Sequence, residues 1–140
     1  MTRVDFYVLA SSSDNARLNF ACRLTEKVFN LGQRVFIHSP SHAVSSQLDE
    51  LLWTFKAGAF VPHAPSGSAN GEPVVLSHDA EPDDGEWDVL INMSTEVPEF
   101  FSRYHRVAEV VDKDAHRRDA GRERFRFYRE RGYEIHTHNV

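Results

Sequence analysis

Two hydrophobic periods alternate along this chain, and that alternation limits its fold more than any other feature. Runs rich in β-branched and aromatic residues recur at RVDFYVL (3–9), RVFIHS (34–39), PVVLSH (73–78), WDVLINMS (87–94) and RVAEVVD (106–112). Such runs fit the pleat of a strand. YEIHTH (133–138) reads as a final strand or extended tail. Between the runs the spacing becomes helical. Residues 14–31 place Ala16, Phe20, Leu24, Val28 and Leu31 on one side, with Gly32 as a stop. Residues 42–55 do the same with Val44, Leu48, Leu51, Leu52 and Phe55. The proline-led segment 98–105 predicts a short helix. Residues 114–131 predict the last helix, closed by Gly132. Residues 59–73, AFVPHAPSGSANGEP, read as a long loop, and 81–86, EPDDGE, as an acidic turn. Strands that alternate with helices predict an α/β fold, doubly wound, with a mostly parallel sheet and helices on both faces. No internal repeat or linker divides the chain, so residues 1–140 are expected to form one domain.

Several chemistries lack their residues. A nucleotide-binding α/β sheet needs glycines after its first strand, because backbone amides must approach phosphates closely. Ser11, Ser12, Ser13 and Asp14 stand there instead, and neither GxGxxG nor GxxxxGK[ST] occurs. No GxSxG elbow is present for a hydrolase nucleophile. The one cysteine, Cys22, excludes an internal disulfide and a multi-cysteine zinc site, and its apolar setting predicts a buried thiol. His136 and His138 would share a strand face, but two imidazoles fall short of a zinc site. Asp83, Asp84 and Glu86 could hold a divalent ion, although a solvated turn is the better expectation. The expectation is therefore a protein with no catalytic residues, metal or cofactor. No run approaches the ~18 apolar residues of a membrane span. The short, charge-interrupted N-terminal run does not read as a signal peptide, so the cytoplasm is the expected compartment.

Charge is distributed unevenly. The net charge is −5, which argues against direct coating of DNA. Yet residues 117–131 hold seven arginines against three acids, a local excess of +4. Arg118, Arg122, Phe125, Arg126 and Arg129 fall along one helical stripe. Arginine forks bind carboxylates bidentately, and Phe125 could wall an apolar pocket beside them. Phe127, Tyr128 and Tyr133 are the expected anchors of the helix. A solvated helix face with internal ion pairs explains the same spacing, and spacing alone leaves both readings open. Trp53, Phe55, Phe60 and Val61 form a second feature, for which composition favours core over a docking surface.

LDELLW (48–53), FVPH (60–63), WDVLINMS (87–94) and RERFRFYRERGYEIHTH (122–138) occur in an order and spacing that resemble the chi subunit family of bacterial DNA polymerase III. The resemblance implies a Rossmann-like fold without nucleotide binding and a non-catalytic adaptor role. It implies two partners: the psi subunit of the clamp-loader assembly, and the acidic, phenylalanine-ended C-terminal tail of single-stranded DNA-binding protein (SSB). On that resemblance, Arg122 takes the tail carboxylate, with Arg118 as a second cation. Phe125 stands where a tyrosine is usual, and Val111, Gly132 and Thr137 line the pocket. Asp112 and Asp114 are acids close to this site and would weaken an anion's affinity. Trp53 and Phe60 would face psi, which reverses the core expectation for those two. Rival expectations are an adaptor for a DNA-repair helicase acting through Trp53 and Phe60, and a small nucleotide-dependent enzyme.

Overall fold

A computed structural model describes residues 1–82 and 87–140. The elements are β1 (Arg3–Val8), α1 (Asp14–Asn30), β2 (Val35–His38), α2 (His42–Thr54), β3 (His63–Pro65), β4 (Val74–Ser77), β5 (Trp87–Asn92), β6 (Tyr104–Val111), α3 (Ala115–Glu130) and β7 (Glu134–Asn139). The strands join in one sheet of order β3-β4-β2-β5-β6-β1-β7. Every pairing is parallel, which makes the sheet wholly rather than mostly parallel.

Side-chain alternation sorts the strand residues between two cores. On one face α1 and α2 pack through Leu18, Ala21, Cys22, Leu48 and Leu52 against Ile37 and Ile91. On the other face the neighbouring strand residues Phe36 and Leu90 join Phe6, Trp87, Tyr104 and Tyr128, the last of these from α3. Burial on both faces explains why Val89, Leu90 and Ile91 of this central strand are consecutive apolar residues. Side chains cap each helix start, with Ser13 accepting from the Ala16 N–H (3.4 Å), Ser41 from Val44 (3.2 Å) and Asp114 from Arg117 (3.0 Å).

Three local expectations are corrected. The loop expected over 59–73 contains the short strand β3 and a 3₁₀ turn at Ser66–Ser68. Pro65 hid the strand, but β3 lies at the sheet edge, where proline is tolerated. The helix expected over 98–105 is only a 3₁₀ turn at Phe101–Arg103. Tyr104 is instead the first residue of β6, opposite Trp87, and its buried ring holds the chain extended. In α1 the buried seam runs through Leu18, Ala21, Cys22, Thr25 and Val28, while Leu31 is 66% exposed. Thr25 can occupy that seam because its hydroxyl donates to the Ala21 carbonyl at 2.7 Å. Burial pushes the Cys22 thiol up to about 12, so it is inert packing. The residues of the acidic turn expected to be solvated or ion-binding, Asp83, Asp84 and Glu86, lie outside the described residues. Among the described residues no helix is long and apolar enough to cross a membrane.

Candidate functional site

Helix α3 is fixed on the sheet by a buried polar cluster that sequence patterning did not reveal. Glu109 of β6 is fully buried, and its carboxylate accepts four hydrogen bonds from three residues. Arg124 Nε donates at 2.8 Å and the Tyr128 hydroxyl at 2.7 Å, while Asn92 Nδ2 reaches both oxygens at 3.2 and 3.0 Å. Arg124 also donates from Nη1 to the Thr95 carbonyl at 3.0 Å. Burial and the Glu109 charge hold the Tyr128 phenol far above its ordinary range, so it remains a donor. With Gly121, Arg124 and Tyr128 turned inward, α3 directs Arg118, Arg122 and Arg126 outward.

Gly121 sets how close the helix comes. A Cβ built there would sit 2.4 Å from Val111 Cγ1, so the α3 backbone rests directly on β6. Gly121→Ala is expected to cost about 1–3 kcal/mol through overpacking. Thermal unfolding should show a midpoint several degrees lower, and an unchanged midpoint would mean that the contact is loose.

Against this helix lies a cavity of about 320 Å³. Its apolar walls are Phe6, Val8, Val111 and Phe125, its cations Lys113, Arg118 and Arg122, and Thr137 adds a hydroxyl. The Phe6 and Phe125 rings lie 5.3 Å apart. Five of the six residues expected at a tail site, Val111, Arg118, Arg122, Phe125 and Thr137, therefore line one cavity. Gly132 does not. It ends α3 with a φ of +78°, where its N–H donates to Arg129 O and that of Tyr133 to Tyr128 O, both at 3.1 Å. Sequence reading missed Phe6, Val8, Lys113 and Gly121. The period-2 alternation of β1 carried a signal for the first two.

Six of the seven arginines separate by task. Arg117 binds Asp112 through two bonds of 3.0 and 2.8 Å and also pairs with Asp14 at 3.2 Å. Arg124 is buried at Glu109. Arg126 pairs with Glu123 at 3.5 Å, and Arg131 stacks on Phe127 at 3.6 Å. Arg118 and Arg122 share Asp119 at 3.6 and 3.8 Å, and the exposure of these groups makes such pairs weak. Of the two acids expected to weaken an anion site, Asp112 lines the cavity and Asp114 does not. Arg117 neutralises Asp112, and Asp114 caps α3, where the Arg117 N–H holds its carboxyl below the usual range.

A second candidate surface lies across the sheet. Trp53, on the last turn of α2, is 48% exposed and Phe60 is 70% exposed, with their rings 6.1 Å apart. This overturns the composition-only expectation of core for both, whereas Val61 is fully buried. Beneath Trp53, at 4.3 Å, the His63 ring is held between the carbonyls of Val61 (2.6 Å) and Asp49 (2.8 Å).

Two larger depressions, of about 480 and 450 Å³, open at the carboxyl ends of β2 and β4. Among the described residues neither is lined by lysine or arginine, so the α3 cavity is the better receptor for an anion. His138 stacks on Tyr7 and bonds Asp5 at 2.9 Å, while His136 faces Glu134. No group of three or more potential metal ligands is found among the described residues. At the end of β1, Arg117 donates to Ser12 O at 3.2 Å, across the loop where a nucleotide-binding relative of this fold would hold phosphate.

Comparison with known proteins finds one recurring similarity. A family model described as "DNA polymerase III chi subunit, HolC" matches residues 1–136. A Pseudomonas aeruginosa protein named DNA polymerase III subunit chi is 44% identical over 140 residues, covering all of this chain and 98% of that one. Proteins of the same name from Haemophilus influenzae and Escherichia coli are 31% and 27% identical, covering 96% and 98% of this chain and 95% and 97% of their own lengths. The solved structure of T4 UvsW superposes with a TM-score of 0.73 at 8% identity, covering 99% of this chain and 41% of that one, which is a likeness of fold alone.

Proposed function

Because this chain belongs to the DNA polymerase III chi subunit family, we propose that it is a non-catalytic adaptor with two docking surfaces, one for the SSB C-terminal tail in the α3 cavity and one for a psi-type clamp-loader partner at Trp53 and Phe60. One observation carries the first assignment. The cavity joins an apolar, ring-lined slot to Lys113, Arg118 and Arg122. An acidic peptide that ends in phenylalanine presents the matching groups: a free carboxylate, further anionic side chains and a terminal ring. A charge-assisted bond to the carboxylate contributes ~1.5–3 kcal/mol once largely desolvated.

Arg122→Ala should therefore weaken tail-peptide binding about tenfold or more. The measurement is a titration of the full chain with the peptide, with and without its last phenylalanine. Added salt should lower affinity for the complete peptide. Equal binding of the two peptides, or none of either, would sink the assignment.

A further inference from the structure

An acidic peptide whose terminal carboxylate meets Arg122 must leave the cavity along one of two cationic paths. One runs down α3 over Arg126 and Arg129. The other runs over Arg118 to the β6–α3 loop and Lys113. The two differ in whether their cations line the cavity. Arg126 lies 3.5 Å from Glu123, Arg129 sits over the Phe125 ring at 5.9 Å, and neither lines the cavity. Lys113 does line it. The Lys113 N–H donates to Ser11 O at 3.0 Å, which ties the loop to the end of β1 and fixes where the side chain starts. Among the described residues no carboxylate lies within ion-pair distance of its ammonium. Of the two acids that flank it in sequence, Asp112 lines the cavity but is bound by Arg117, and Asp114 is engaged at the helix cap.

We propose that Lys113 is a peptide-binding residue of this chain, and that it sets the direction of the bound tail. The acidic residues that precede the terminal ring pass over Arg118 toward Lys113 rather than down α3. This rests on the tail-binding reading of the cavity. An extended peptide advances about 3.3 Å per residue, so a few residues span the distance between cations lining one cavity of this size.

The test uses the full chain and two labelled peptides ending in phenylalanine with a free carboxylate. One carries several aspartates before the ring, and the other carries asparagine at the same positions. At low ionic strength, Lys113→Glu should weaken the acidic peptide about tenfold and leave the asparagine peptide within about twofold. Arg126→Glu should change either peptide by less than about threefold, because its guanidinium lies outside the cavity lining. Circular dichroism of both variants confirms that they fold. An Arg126→Glu effect equal to or larger than that of Lys113→Glu would reverse the direction and overturn the proposal. Equal weakening of both peptides by Lys113→Glu would overturn it too, by showing that the lysine acts through the fold. If the unsubstituted chain binds neither peptide, the tail-binding reading itself falls, and this assignment with it.

Discussion

Arg124→Ala is expected to lower the free energy of unfolding by about 3–5 kcal/mol, the loss that follows when one partner of a buried ion pair is removed. Glu109 is fully buried and Arg124 is 5% exposed, with Nε 2.8 Å from the carboxylate. Without the guanidinium, Glu109 keeps its bonds from Tyr128 and Asn92 but loses its compensating charge, and it must stay ionised at a cost or take up a proton. For a chain of this length the thermal midpoint should fall by more than about 10 °C. The double variant Arg124→Met, Glu109→Gln separates charge from packing. It should recover a substantial part of the loss, because removing both charges leaves no uncompensated ion. A single variant as stable as the double would show that the lost charge of Arg124 is not what destabilises it. Tail binding should fall with stability in Arg124→Ala, since the same pair sets which residues of α3 face outward.

Phe60→Ala should produce the opposite pattern, a large loss of partner binding with almost no loss of stability. A ring that is 70% exposed contributes little to folding, within about 0.5 kcal/mol. As a docking anchor it would cost about 2 kcal/mol or more, close to a thirtyfold loss of affinity. Trp53→Ala should match it in binding but cost more in folding, because Trp53 also covers the His63 ring. Calorimetric titration with a psi-type partner, beside thermal unfolding of each variant, reads both quantities. A Phe60→Ala protein that binds normally yet unfolds several degrees early would return this surface to the core.

Much of this architecture is legible in the sequence, for a physical reason in each case. The strands at 87–92 and 106–111 carry apolar residues on both faces because parallel strands are buried on both faces. The cavity residues of α3 follow from a period of 3.6, which makes Arg118, Arg122 and Phe125 neighbours. What the sequence hid depends on tertiary pairing. β3 is three residues long and contains a proline, so only its place beside β4 makes it a strand. Arg117 and Arg124 look like any other residue of a basic helix, and only the folded chain shows them committed to Asp112 and Glu109. Gly132, legible from its spacing as the stop of α3, has the positive φ of that role, whereas the pocket place that resemblance gave it falls outside the cavity lining.

The two proposed docking surfaces lie on elements that pack against opposite faces of one parallel sheet, α3 on one side and α2 on the other. A rigid slab of close-packed side chains therefore separates them. Two guests bound there would not compete for area, and neither would need the other to leave. Their binding free energies would add, and the chain would act as a short, stiff tether. Such a tether keeps a weakly held tail near the second guest, so each release is followed by recapture at high local concentration rather than by escape into solution.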